Sequence, residues 1–256
     1  MEFELHHHGL VDSTSERAFA SLAEGSARHG DVHVARGQTA GRGTQGRSWH
    51  SAPDEGLYLS VVLLPDPPQY KPPALTIATG LAVVEALTDL GLPPFGEKAP
   101  ALDWPNDVVI DGQKLCGILT ESRGLDEERP HYVVGIGLNV RQLSFPAELT
   151  RERAVTSLAL LGLDLTRNAV LEALLARLGP RLGQVRCHHE RLATDYLRAT
   201  GLLGRSVSVS SGSELHRGKL VGLGLSAGLE VELENGDLLR LPLEFVRSVR
   251  ALSSTP

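Results

Sequence analysis

The sequence predicts an α+β protein in two parts, a body of helices and strands over residues 1–202 and a small β-barrel over 203–256. Three observations predict it. Segments with helical spacing alternate with short strand-like runs as far as about residue 200. After Gly201 the texture changes to short alternating strands between glycine-rich turns, Asn235-Gly236 among them. Hydrophobic residues at 41% and charged residues at 22% of 256 positions suit a globular chain that buries a core without staples.

The elements follow in order. Ser13 and Glu16 stand at capping-box spacing and open a helix whose apolar face carries Phe19, Leu22 and Ala23. Gly30-Asp31 ends it, and Val32 to Ala35 reads as a strand. Residues 37–56 hold five glycines and almost no aliphatic side chain, which predicts a long loop of the functional kind. Leu57 to Leu64 is a strand, and Ala74 to Leu90 an amphipathic helix. Val108 to Ile110, Asp111-Gly112 and Leu115 to Leu119 predict a hairpin with a type I′ turn. His131 to Val140 is a further strand. Thr166 to about Thr200 is helical, with a break or kink expected at Gly179-Pro180.

Composition excludes several classes. The net charge of −6 argues against a protein that coats nucleic acid or anionic lipid. Two cysteines, Cys116 and Cys187, exclude a disulfide scaffold and supply no CxxC zinc pair. No apolar run reaches membrane-spanning length, and residues 1–10 have no signal-peptide pattern, so a cytoplasmic protein is expected. Only four of the 25 basic residues are lysines, at 71, 98, 114 and 219.

Three segments carry candidate chemistry. Gly41-Arg42-Gly43-Thr44-Gln45-Gly46-Arg47 has GxGxxG spacing, but a strand rather than a helix follows it, so the dinucleotide reading fails. Its glycines let backbone N–H groups approach a ligand, Arg42 and Arg47 add phosphate-matching forks, and Trp49 adds a flat apolar face. A solvent loop with scattered arginines is the plain alternative. In the second segment, Trp104-Pro105-Asn106-Asp107, the hairpin turn brings Asn106 and Asp107 back beside Lys114 and Gly117. Asp107 is a candidate Mg²⁺ ligand, and Lys114 a candidate for offsetting charge on phosphate or carboxylate. A surface salt bridge beside a turn is the alternative. The third segment, Gly135-Ile136-Gly137-Leu138-Asn139, alternates glycine in a strand. That suggests close approach of a ligand or of backbone, with Asn139 placed to read an adenine edge.

Taken together and in this order, the segments resemble the biotin protein ligase family, whose patterns are QxxGRGRxGRxW, KWPND…KxxGIL.E and GxGxN. The chain reads Gln38 to Trp49, Asp103-Trp104-Pro105-Asn106-Asp107, Lys114 to Glu121 and Gly135 to Asn139. Ser13-Thr14 matches the family's early ST pair, and the agreement spans about residues 10–250. The resemblance implies a class II synthetase-like core, a mixed sheet flanked by helices, with an SH3-like barrel behind it. It implies a two-step ligase. Biotin and ATP give biotinyl-5′-adenylate and pyrophosphate, with Mg²⁺; a lysine of a biotin carboxyl carrier protein, a subunit of acetyl-CoA carboxylase, then takes the biotinyl group.

The roles implied are these. Ser13, Thr14, Ser15, Gln38, Arg42, Gly43, Thr44, Lys114 and Gly117 bind biotin. Arg42, Arg47, Trp49, Asn106, Asp107, Lys114 and Asn139 bind the nucleotide, and Lys114 and Arg42 are the catalytic pair. Two residues depart from the pattern: Thr44 stands where the family usually has Arg, and Asp103 where it usually has Lys. Because the motifs begin by Ser13, the form expected is the one without an N-terminal DNA-binding domain, hence no DNA partner. Homodimer formation is left open. Two rivals stand beside this reading: a lipoate- or octanoate-transferring relative, and a non-catalytic biotin or nucleotide sensor. Three weaker signals are expected to be incidental: GxSxG at Gly224–Gly228, the His6-His7-His8 run and Cys187-His188-His189. Cys116 is expected to pack as a small hydrophobe.

Overall fold

A computed structural model describes residues 1–64, 72–123, 130–186 and 190–252. Strands β1 (Glu4–Val11), β2 (Asp31–Gln38), β3 (Gly56–Leu63), β4 (Ala101–Asp103), β5 (Asp107–Ile110), β6 (Gln113–Glu121) and β7 (Tyr132–Asn139) form one sheet. Its order is β1-β2-β3-β7-β6-β5-β4. β1 runs parallel to β2 and every other pair is antiparallel, so the sheet is mixed.

β3 is buried at every residue because both of its faces are covered. Leu57, Leu59, Val61 and Leu63 join the main core with helices α2 (Pro72–Asp89) and α4 (Arg167–Arg186). Val62 instead meets Ala18 and Phe19 of α1 (Thr14–Ala23). α2 is apolar nearly all round, as a helix packed between a sheet and a second helix must be. The short α3 (Ala147–Glu152) follows β7, and α5 (Glu190–Thr200) closes the helical region.

A second, antiparallel sheet contains β8 (Ser206–Ser211), β9 (Glu214–Gly224), β10 (Gly228–Glu232), β11 (Leu238–Leu241) and β12 (Val246–Ala251), ordered β11-β10-β9-β8-β12. Val207, Val209, Leu220, Leu229, Val231, Val246 and Val249 fill its inner face. The Trp104 Nε1–H donates to Val246 O at 3.2 Å, and the Trp104 ring meets Tyr196 edge-on, so this sheet is seated against the WPND segment.

Several expectations change. β1 and β4 escape the sequence reading: β1 carries His6 and His8 among polar residues, and β4 has three residues. Ser13 caps α1 by accepting from Ser15 N–H at 3.2 Å, but Glu16 does not complete the capping box. Asp12 takes the Ser13 N–H at 2.7 Å, and Glu16 turns to arginines instead. α4 continues through Gly179-Pro180, so the expected break there is absent. The proline lacks only one N–H, and Leu178, Leu182 and Val185 hold that turn in the core. Cys187-His188-His189 lies outside the described residues. Asp111 and Gly112, at φ 49° and 70°, form the predicted I′ turn. Gly224–Gly228 is the β9–β10 turn, not a nucleophile elbow. Cys116 is buried, and burial pushes its thiol pKa up.

Candidate active site

A cleft of about 380 Å³ opens between the N-terminus of α1, the loop after β2, and strands β6 and β7. Ser13, Thr14, Ser15, Gln38, Arg42, Gly43, Thr44, Arg47, Trp49, Asn106, Lys114, Gly117 and Asn139 all line it. Asp107 is the one residue of the expected set behind the wall rather than on it.

One end is a nest of hydroxyls and an amide. The Gln38 Oε1 accepts from Thr14 N–H at 2.8 Å and from the Thr14 hydroxyl at 3.2 Å, while its Nε2 donates to Ser51 at 2.8 Å. The Ser60 hydroxyl lies 2.8 Å from that of Thr14 and 3.1 Å from that of Ser15. The nest is buried, and its groups present both donors and acceptors. Ser60 is missed by sequence reasoning: it sits in an apolar strand, and only the register of β3 beneath α1 gives it a role.

The middle is a platform. Gly117 and Gly137 are register partners in β6 and β7. A Cβ at Gly117 would stand 2.8 Å from the Trp49 ring, and one at Gly137 would overlap it. The indole therefore lies flat where two strands lack side chains, which is why glycine alternates here. Lys114 Nζ stands 5.2 Å from the ring centroid. The buried Trp49 Nε1–H has no partner among the described residues.

Charge gathers at two places. Arg42 lies 3.0 Å from Glu16 and 2.7 Å from Glu121, and Glu16 also pairs with Arg123. Burial pushes the Glu121 carboxyl above its usual range, whereas the Arg123 hydrogen bond holds Glu16 below its own. The Arg47 Nε and Nη2 donate to Thr44 O at 3.3 Å and Oγ1 at 3.2 Å, so Thr44 orients its neighbouring arginine. In the second group Lys114 Nζ is 2.7 Å from Asp107 Oδ1, and Arg153 reaches Asp107 Oδ2 and also Asp103 at 2.6 Å. Asp103 thus faces a guanidinium and is not an unpaired charge.

Two amides are committed internally. Asn106 Nδ2 donates to Ile118 O at 2.7 Å, and Asn139 Nδ2 donates to Thr156 O at 2.9 Å. Asn139 therefore fixes the segment after α3 where the sequence reading had it facing adenine. α3 and the residues on either side of it form an unforeseen wall: Phe145, Glu148, Leu149, Glu152, Arg153 and Val155 line the cleft. Pro146 with Glu148 is a helix-start signal that could have revealed it. Among the described residues no group of three His, Cys, Asp or Glu side chains could hold a metal ion, so the His6–His8 run supplies no such group.

A model of the biotin/lipoate A/B protein ligase family matches residues 9–139. The chain belongs to that family. It is 38% identical over 199 residues to the biotin–[acetyl-CoA-carboxylase] ligase of Mycobacterium tuberculosis, covering 77% of this chain and 71% of that protein. It is 39% identical over 145 residues to the bifunctional ligase/repressor BirA of Bacillus subtilis, of which it covers 43%. The chain thus spans less than half the length of the Bacillus relatives it matches. The biotin protein ligase of Aquifex aeolicus, solved with biotin and ATP, superposes with a TM-score of 0.77 at 31% identity over 97% of this chain and 99% of that one.

Proposed function

We propose that this protein activates biotin with ATP and transfers it to a lysine of a biotin carboxyl carrier protein. One observation carries the reading: every motif residue expected to touch substrate, Asp107 apart, lines a single cleft. The similarity to biotin ligases supports it.

The first step joins a biotin carboxylate oxygen to the α-phosphorus of ATP, and pyrophosphate leaves. In the second, the carrier amine attacks the acyl carbon of the mixed anhydride, loses a proton and expels AMP. The substrates bring both nucleophiles, so the protein's task is positioning and charge stabilisation. The Thr14, Ser15 and Gln38 nest offers matched donors and acceptors to the cyclic urea of biotin, with Ser60 holding the hydroxyls in place. Ser13 fixes the start of α1, and Gly43 and Gly117 leave room for the chain of the ligand. Arg42 and Lys114 face the two approaching anions. Arg47, oriented by Thr44, and Trp49 hold the nucleotide. Asn106 and Asn139 keep the cleft walls in register through their amides.

Mg²⁺ enters with ATP as a substrate ion. Both Asp107 oxygens already face cations, so the triphosphate and water are its main ligands. The barrel-side sheet supplies no described lining residue and serves to seat the WPND segment. Among the described residues no helix is long and apolar enough to cross a membrane.

Pyrophosphate–ATP exchange tests the reading. We expect exchange that requires biotin and is not supported by lipoate or octanoate. Exchange with lipoate alone would identify the lipoate-type relative, and tight biotin binding without exchange would identify a sensor.

A further inference from the structure

Asp107 and Lys114 are both well buried, with side chains 11% and 20% exposed, and lie 2.7 Å apart. The proposed reaction asks Lys114 to leave this carboxylate and face substrate anions. A buried carboxylate that loses its only counterion resists that departure strongly. Here it has a second one. Arg153, the residue closing α3, places Nη1 on Asp107 Oδ2 and Nη2 on Asp103 Oδ2, the latter at 2.6 Å. A guanidinium fork can span two carboxylates in this way, whereas an ammonium cannot hold both in one plane.

We propose that Arg153 is a positioning residue of the adenylation site, the relay counterion that holds the Asp107 charge while Lys114 moves to substrate. This rests on the role given to Lys114 above. Asp103 is the anchor of the relay. A lysine at that position would repel Arg153, so the Asp103 departure and Arg153 form a matched pair in this chain. The backbone makes the relay stiff: Lys114 N–H donates to Ala154 O at 2.9 Å, and Thr156 N–H donates to Lys114 O at 2.9 Å. Arg153 and Lys114 therefore sit on adjoining, hydrogen-bonded segments with Asp107 between their heads.

The test uses the full chain and two readouts. The first is acetic anhydride labelling of Lys114 in ligand-free protein, counted by peptide mass spectrometry against the exposed Lys98 and Lys219. In Arg153→Ala, Asp107 grips Lys114 alone, and labelling should slow about threefold to tenfold. If Arg153 merely pins the α3 wall, its loss opens the cleft and labelling speeds up; faster or unchanged labelling overturns the proposal. The second readout is biotin-dependent exchange. Arg153→Ala should lower kcat about tenfold with little change in the KM for biotin. Arg153→Lys should recover only part of both losses, because its ammonium can face Asp107 without spanning to Asp103. With Asp107→Asn as background, Arg153→Ala should no longer slow labelling; a slowing of the same size there would also overturn the proposal. Wild-type exchange keeps the two readings apart: its absence refutes the ligase assignment, and its presence with unaltered Arg153→Ala refutes only the relay.

Discussion

The proposed chemistry leans most on Lys114. Its Nζ stands 5.2 Å from the centroid of the Trp49 ring, and among the described residues it is the only lysine on the cleft wall. Lys114→Ala should slow biotin-dependent exchange by about 10²-fold or more, the scale of losing one preorganised charge partner. Gly137 offers a second residue-scale test. A methyl there overlaps the Trp49 ring, so Gly137→Ala should expel the indole, shift its fluorescence to the red and expose it to acrylamide in a Trp104→Phe background. An unshifted spectrum would show that the ring does not rest on that strand. Residues of this kind are readable in a sequence because contiguous motifs carry them. Ser60, the Glu16–Arg42–Glu121 clamp and the Arg153 fork are not, because each joins side chains far apart along the chain that meet only through sheet register and helix docking.

The edge strand β1 is the element that the sequence conceals most fully. Its apolar content is low, and it is held by parallel pairing to β2 and by a stack in which His33 lies between His6 and His8. His8 Nε2 and His33 Nδ1 are 3.1 Å apart. Burial first, then the neighbouring His6 and His8, lowers the His33 pKa from 6.5 to about 4. The folded state therefore binds fewer protons than the unfolded state in that window, and stability rises with pH. It should be complete above the unfolded value near 6.5 and be lost as pH falls towards 4, by up to about 2–3 kcal/mol. Urea unfolding at pH 7.5 and 5.0 measures this, and His33→Gln should flatten the difference. An equal slope in the variant would assign the loss to other groups. Elements with a strong local pattern, such as the one-sided apolar face of α1, the continuous apolar run of β3 and the Asp111-Gly112 turn of the β5–β6 hairpin, are legible in the sequence. α3 and β4 are not, because six- and three-residue elements carry too little pattern.

On the scale of the whole molecule, the two sheets share a core. One continuous cluster runs from Val32 and Leu59 through Leu102 and Tyr196 to Val207 and Val249. A chain ending at Thr200 would uncover Tyr196 and Leu197 and leave the Trp104 N–H without its Val246 acceptor. Its melting temperature should fall by about 5 °C or more. If it folds it should still bind biotin, since no described cleft residue lies beyond Val155; loss of biotin binding in a folded truncation would place part of the pocket in the second sheet. The texture change after Gly201 shows where this sheet starts, but its seat against Trp104 depends on contacts between residues more than a hundred positions apart.

The central claim, biotin transfer to a carrier lysine, is tested most directly by intact mass spectrometry of a biotin carrier domain incubated with the full chain, biotin and MgATP. The account predicts one biotinyl group on one lysine of the carrier, formed only when both biotin and ATP are present. A carrier that stays unmodified under conditions in which an authentic biotin protein ligase labels it would contradict the account.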